Sequence, residues 1–252
     1  MRLIVTVLES SSSEFEIKNL NEIYLDQILY LQRIVSDNLA NPESYHVETK
    51  QFFRKLLTID NSAIGIFQKN QLIGFHMASF PGSTDSNLGG DIGLNQEELL
   101  QVVQLGPVVI HPDHRQKGLL RKVADIHLQV IKEMGYRHIC LTISPSNYPT
   151  IRTAMTQGCI IKQLKVKYNN LLRYILHLDF KSHSKHPQYS VRIPHTDIES
   201  QKFMMNLGFY GYDVLKNDNG FDLVFGYDEV KEFHNNSFIE NDSGFDFAFG
   251  YD

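Results

Sequence analysis

A chain of 252 residues with 42% hydrophobic content can bury one good-sized core, or a core with a small appendage. A formal charge of −5 and a pI near 6.1 argue against a protein held to nucleic acid by phosphate contacts. Two cysteines without metal-ligand spacing, Cys140 and Cys159, argue against a disulfide framework or a zinc site and read as buried, reduced thiols, and no apolar run approaches the ~20 residues of a membrane span.

The start, Met1 to Leu8, is apolar but is soon broken by Glu9 and the serines at 10 to 13. It lacks the length and cleavage site of a secretory signal, which points to a cytoplasmic protein. Glu14 to Lys18 reads as a short strand. From Asn21 onward, Tyr24, Ile28, Leu31, Val35 and Leu39 recur at three- and four-residue steps, the period of an amphipathic helix that Asn41-Pro42 ends. A second helical stretch takes in Val47, Phe52 or Phe53, Leu56 and Leu57. Ala63 to Gln68 and Leu72 to Phe80 then read as a hairpin around Lys69-Asn70-Gln71. Residues 81 to 96, rich in Gly, Ser, Asp and Asn, read as a loop.

Val102 to Ile110 is apolar enough for a buried strand, with Gly106-Pro107 in its middle. Proline cannot donate to a ladder, so a bulge or a strand separation is expected there. A polar, basic turn, His111 to Gly118, precedes a helix marked by Leu119, Val123, Ile126, Val130 and Met134 and ended by Gly135. His138 to Ile143 is a near-continuous apolar run, a strand covered on both faces. Ser144-Pro145-Ser146-Asn147 supplies a turn and a cap, a helix runs to Gln157, and Ile160 to Val166 and Leu171 to Asp179 read as an antiparallel pair. The stretch from 102 to 143 is thus a βαβ unit inside an otherwise antiparallel, mixed α/β (α+β) sheet flanked by helices.

Two units are expected: residues 1–180 as the main domain and 181–252 as a C-terminal αββ extension. In the extension, Tyr189 to Ile193, a helix over Glu199 to Asn206, and strands near 209 to 215 and 221 to 227 repeat the order found at 138–179. Asn147 precedes Gly158, and Asp197 precedes Gly208, by the same eleven residues. At the end, the segment Gly220 to Asp228 (GFDLVFGYD) recurs at 244–252 as GFDFAFGYD. Such alternating segments suit strands that pair with each other or with a neighbouring molecule's edge.

The basic turn carries the chemistry. The first N–H groups of a helix lack intrahelical partners, and the helix dipole adds roughly half a positive charge at that end. Gly118 admits close approach of a phosphate, and Arg115, Lys117 and Arg121 add charge-assisted bonds.

Val108-Val-Ile-His-Pro-Asp-His-Arg-Gln-Lys-Gly-Leu-Leu120 resembles motif A of the GCN5-related N-acetyltransferase (GNAT) family, in which a hydrophobic strand and His-Pro lead to Arg-x-x-Gly-x-Gly/Ala opening a helix. The resemblance implies an acetyl-CoA-dependent N-acetyltransferase that moves an acetyl group to a primary amine, on a small molecule or a protein, by direct attack. It implies that the main chain of Val108, Val109 and Ile110 pairs with the pantetheine arm. It likewise implies that Arg115, Gln116, Lys117, Gly118, Leu119 and Leu120 hold the pyrophosphate, and that Asn147 contacts acetyl-CoA (coenzyme A).

Three positions depart from the family's pattern. Leu120 stands where Gly or Ala is usual, Cys159 replaces an aromatic residue after Gly158, and Ala154 occupies the place of a tyrosine that protonates the departing thiolate. No general base is evident: Glu97 and Glu98 precede the central strand, His76 sits mid-strand where a core role is favoured, and His111 and His114 read as part of the phosphate loop. Tyr168, Tyr174, Tyr210 and Tyr212 read as packing residues. An alternative keeps the cofactor site without catalysis, as an acyl-CoA-binding sensor or regulatory module. A nucleotide-binding module is weaker, because the turn lacks the Lys-Ser/Thr ending of a P-loop. The expected partner is an amine, cationic in keeping with the acidic chain, with no nucleic acid and no membrane. The tail covers the acceptor cleft or mediates a homodimer.

Overall fold

The computed structural model describes residues 6–10, 13–39, 45–168, 170–182 and 187–228, and its eleven strands form one sheet. The first half of that sheet is a meander. β1 (Thr6–Ser10), β2 (Ser13–Asn19), β3 (Ala63–Gln68), β4 (Gln71–Ser79) and β5 (Val102–Ile110) pair antiparallel in chain order. β5 then pairs parallel with β6 (His138–Ile143), and the helix α5 (Leu119–Glu133) makes the crossover. β8 (Leu171–Asp179) inserts between β6 and β7 (Ile160–Lys167), both contacts antiparallel.

Periodicity decides which helix covers which face. In α1 (Leu25–Asp37) the buried residues Ile28, Leu31 and Val35 lie on one stripe. With Phe53, Leu56 and Leu57 of α2 (Lys50–Leu57) they pack on Phe67, Phe75, Met77 and Val109. The opposite face, through Ile64, Ile66 and Ile73, is covered by Leu119 and Val123 of α5. Full burial of each such side chain contributes about 1.5–3 kcal/mol, so the two layers are held chiefly by these stripes.

Two expectations need correction. Val47 lies outside α2 and is 53% exposed, because Thr49 accepts the Phe52 N–H and starts the helix there. The 81–96 stretch contains the single-turn helix α3 (Leu88–Asp91), capped by Asn87, and the start of α4 (Gln96–Leu99), which an Asn95/Glu98 capping box opens. Backbone pairing also extends to β1, ahead of the first strand read from the sequence at Glu14 to Lys18. Asn41-Pro42 and the second copy of the nine-residue repeat, 244–252, lie outside the described residues.

The C-terminal part has the same order of elements as the unit before it. β9 (Tyr189–Pro194), α7 (Ile198–Asn206), β10 (Tyr210–Asn217) and β11 (Gly220–Tyr227) follow β6, α6 (Tyr148–Thr156), β7 and β8 in order. In each unit the last strand is central, and the two units meet edge to edge through β7 and β10, antiparallel. Equivalent positions stand fifty residues apart: Asn147 and Asp197 cap α6 and α7, and Gly158 and Gly208 follow them with φ of 92° and 90°. The second strands of both units, β7 and β10, shift register at matching places, Ile161/Gln163 and Gly211/Asp213. Their apolar faces share one cluster, with Ile151, Ile161 and Leu176 from one unit and Met205, Leu223 and Phe225 from the other.

Candidate functional site

The opening of the sheet follows from two residues that cannot sustain a ladder. β4 and β5 keep register at His76↔Val108 and resume at Ala78↔Leu105, so Gly106 and Pro107 together face Met77 in a bulge. On the other side, β5 pairs with β6 only over Val102 to Gln104, against His138 to Cys140. Beyond Gln104 the two parallel strands separate, and Leu105 to Val108 are only half-buried.

Two cavities occupy this opening. A larger one, about 750 Å³, is lined by Val108, Val109 and Ile110 of β5, by the turn and first residues of α5, and by Ser146, Asn147, Pro149, Thr150 and Thr153 around the start of α6. A smaller one, about 150 Å³, lies towards Tyr45, His46 and Glu48 on one side and Arg173 of β8 on the other. They share Tyr45, Val108, Asn147 and Thr150.

The turn before α5 is built to present backbone N–H groups. Pro112 to His114 form one turn of 3-10 helix, and Arg115 Nε donates to the Ile110 carbonyl at 3.4 Å. Gln116 and Gly118 both take positive φ, 62° and 70°, which reverses the chain between them. No side chain caps α5, so its first N–H groups are left to whatever enters the cavity. A Cβ on Gly118 would meet nothing within 4 Å, which marks open space in front of the helix end. His114, held below the usual histidine range by burial and by Lys117 and His111, turns an unpartnered, buried Nδ1 inside this turn.

Nine of the ten residues singled out from the sequence line the larger cavity: Val108, Val109, Ile110, Arg115, Gln116, Gly118, Leu119, Leu120 and Asn147. Lys117 is exposed and is absent from that lining. Asn147 also caps α6, its Oδ1 accepting the Thr150 N–H at 3.3 Å. The other candidates fall elsewhere. His76 is in the core, its Nδ1 2.7 Å from Nδ1 of His127. Glu98 serves the α4 cap and faces Arg137 and His138. Ala154 is buried in the shared apolar cluster, and both thiols are buried and pushed up to about 12 by desolvation. Sequence periodicity passed over Tyr45, His46 and Glu48, which lie on irregular chain between α1 and α2.

A family model described as the acetyltransferase (GNAT) family matches residues 28–158, just over half of the chain. The chain belongs to the GNAT acetyltransferase family. The match spans the β5–α5 turn and ends at Gly158, before β7 and β8. Solved structures share this fold. One is yncA of Salmonella typhimurium, solved with its cofactor acetyl-CoA (TM-score 0.50, 16% identity, 69% of this chain and 99% of that one). Others are the loading GNATL domain of CurA from Lyngbya majuscula (0.52, 15%, 66% and 97%) and a GNAT-family acetyltransferase from Streptococcus pneumoniae (0.50, 12%, 66% and 98%). No curated protein matches the chain.

Proposed function

We propose that this protein transfers the acetyl group of acetyl-coenzyme A to a primary amine by direct attack. The observation that carries the reading is the junction of the two cavities at Tyr45, Val108, Asn147 and Thr150, one ending at an uncapped helix N-terminus and the other at a carboxylate. The turn fits a pyrophosphate in charge and geometry: free N–H groups, a left-handed Gly118 with open space before it, and the flanking Arg115. When bound, acetyl-CoA supplies an activated thioester carbonyl.

The chain's own groups would do the rest. The N–H groups of Gln116 to Leu120 hold the diphosphate. The half-open edge of Val108 to Ile110 offers main-chain donors and acceptors to the pantetheine amides, and Asn147 lines the same cavity. Between the strands, positioning and exclusion of water supply most of the rate. Neither thiol contributes a nucleophile, since both stay protonated at neutral pH.

A second reading, a non-catalytic acyl-CoA sensor, draws on Ala154, which brings no hydroxyl to the departing sulfur. Calorimetric titration with acetyl-CoA, coenzyme A and ATP, with a Gly118→Glu variant alongside, tests the site. Binding of both coenzymes, absent for ATP and lost in the variant, supports it; no binding to either coenzyme removes both readings. Thiol release with a panel of primary amines then separates transferase from sensor.

A further inference from the structure

Gln32 is a buried polar residue whose side-chain hydrogen bonds run to one irregular segment of chain. It lies on α1 at 4% exposure, among apolar neighbours that have no use for an amide. Its Nε2 donates to the Glu48 carbonyl at 2.9 Å. Its Oε1 accepts from the Glu48 N–H at 2.9 Å and from the Tyr45 hydroxyl at 3.2 Å. Both main-chain groups of Glu48 are thus fixed by one side chain sixteen residues earlier. A buried amide left without these partners is costly, so the segment is held where Gln32 puts it.

That place is the floor of the smaller cavity. Of the described residues lining the two joined cavities, Glu48 is the one carboxylate. From its own segment it is faced by Tyr45 and by His46, whose Nε2 is 3.9 Å away. Across the cavity stand Arg173 of β8 and Tyr168 of the β7–β8 turn, the latter stacked on His46.

We propose that Gln32 is a positioning residue that clamps Glu48 into the acceptor cavity, where Glu48 takes the proton from the acceptor's ammonium group. This rests on the transferase reading above. The balance is simple. Glu48 removes one proton from R–NH3+ and passes it to solvent. The freed nitrogen lone pair then bonds to the acetyl carbon, the carbon–sulfur bond breaks with its pair on sulfur, and the nitrogen's surplus proton goes to sulfur. Desolvation supports the role, pushing the Glu48 carboxyl up to about 7, where a carboxylate is basic enough to take such a proton and still ionised. His46 is held neutral by burial and by Arg173, so it does not pull Glu48 back down.

The test compares the wild-type chain with Glu48→Gln, Glu48→Asp and Gln32→Leu. The probes are methylamine, protonated at neutral pH, and hydroxylamine, largely neutral there. Acetyl-CoA affinity is measured by calorimetry and transfer by thiol release. The expected result has four parts. Wild-type transfer to methylamine rises through about pH 7. Glu48→Gln lowers it about 100-fold or more and abolishes that rise. Hydroxylamine transfer and acetyl-CoA affinity hold, and Glu48→Asp restores part of the rate. Gln32→Leu lowers kcat for methylamine and blunts the pH profile at unchanged coenzyme affinity. An unchanged rate and profile in Glu48→Gln overturns the inference, as does a wild-type protein that binds acetyl-CoA yet acetylates neither amine. Failure to bind acetyl-CoA instead removes the reading on which it rests.

Discussion

Ile161 of β7 and Gly211 of β10 are register partners across the antiparallel seam, and they stand fifty residues apart like the caps and glycines of their two units. A pair of equivalent positions facing each other is what a local twofold axis produces. We infer that the extension from residue 181 onward carries a partial copy of the 138–179 unit, joined to it as two subunits of a symmetric dimer would be.

The seam also predicts where an added side chain would crowd its neighbour. A Cβ on Gly211 would sit 3.1 Å from Cβ and Cδ1 of Ile161, in the shared apolar cluster. Gly211→Val should therefore lose about 1–3 kcal/mol through overpacking. Gly90→Ala, with nothing within 4 Å and in a helical turn, should be neutral or slightly stabilising. Urea denaturation of the two variants checks this; equal midpoints would mean the units are not locked at Ile161.

A second prediction concerns the core histidines. His127 Nε2 is 2.8 Å from the Asn61 carbonyl, which can only accept, so that nitrogen carries the proton. Its Nδ1 is then the acceptor for His76 Nδ1–H, and both rings are neutral. Burial keeps His127 down to about 4 and His76 well below its usual range, the latter also through His127. The unfolded chain binds these protons below about 6.5 while the native state refuses them. Stability is therefore full above that pH and lost as pH falls towards 4, by on the order of 3 kcal/mol for His127. His177, also near 4, acts in the same window. Thermal melts from pH 7 to pH 4 should show the decline, and His127→Gln should flatten it.

What could be read from the sequence tracks how local the cause is. β5, β6 and α5 are spelled by apolar runs and a 3.6 period, and Gly118 marks its own turn, so the cofactor side of the cleft is legible. The Asn95/Glu98 box was equally local, and α4 lay open to a reader of caps. Glu48 is different. Its place depends on hydrogen bonds to Gln32, sixteen residues away and on another element, and Glu48 itself lies on irregular chain with no period to mark it. His76 likewise gains its meaning from His127, fifty-one residues on.

The strained turn offers a test of which atoms hold the coenzyme. Gln116 sits at φ 62°, a region that costs a side-chain-bearing residue about 1–2 kcal/mol. If its backbone N–H does the binding, Gln116→Gly should keep coenzyme affinity and raise the melting temperature. A drop in affinity with unchanged stability would shift the role to the side-chain amide.

The duplicated cap separates structure from binding within one protein. Asn147 and Asp197 make the same bond, accepting the N–H three residues on at 3.3 and 3.1 Å, and each opens a helix of nine residues. Only Asn147 faces the cavities. Substituting either by Ala removes an N-cap and should lower the melting temperature. Asn147→Ala should in addition weaken acetyl-CoA binding, whereas Asp197→Ala should leave it unchanged. Calorimetry on the two variants, at a temperature where both are folded, decides the matter: equal losses of affinity would make the effect of Asn147 one of general stability, and a loss confined to Asn147→Ala would place its amide against the coenzyme.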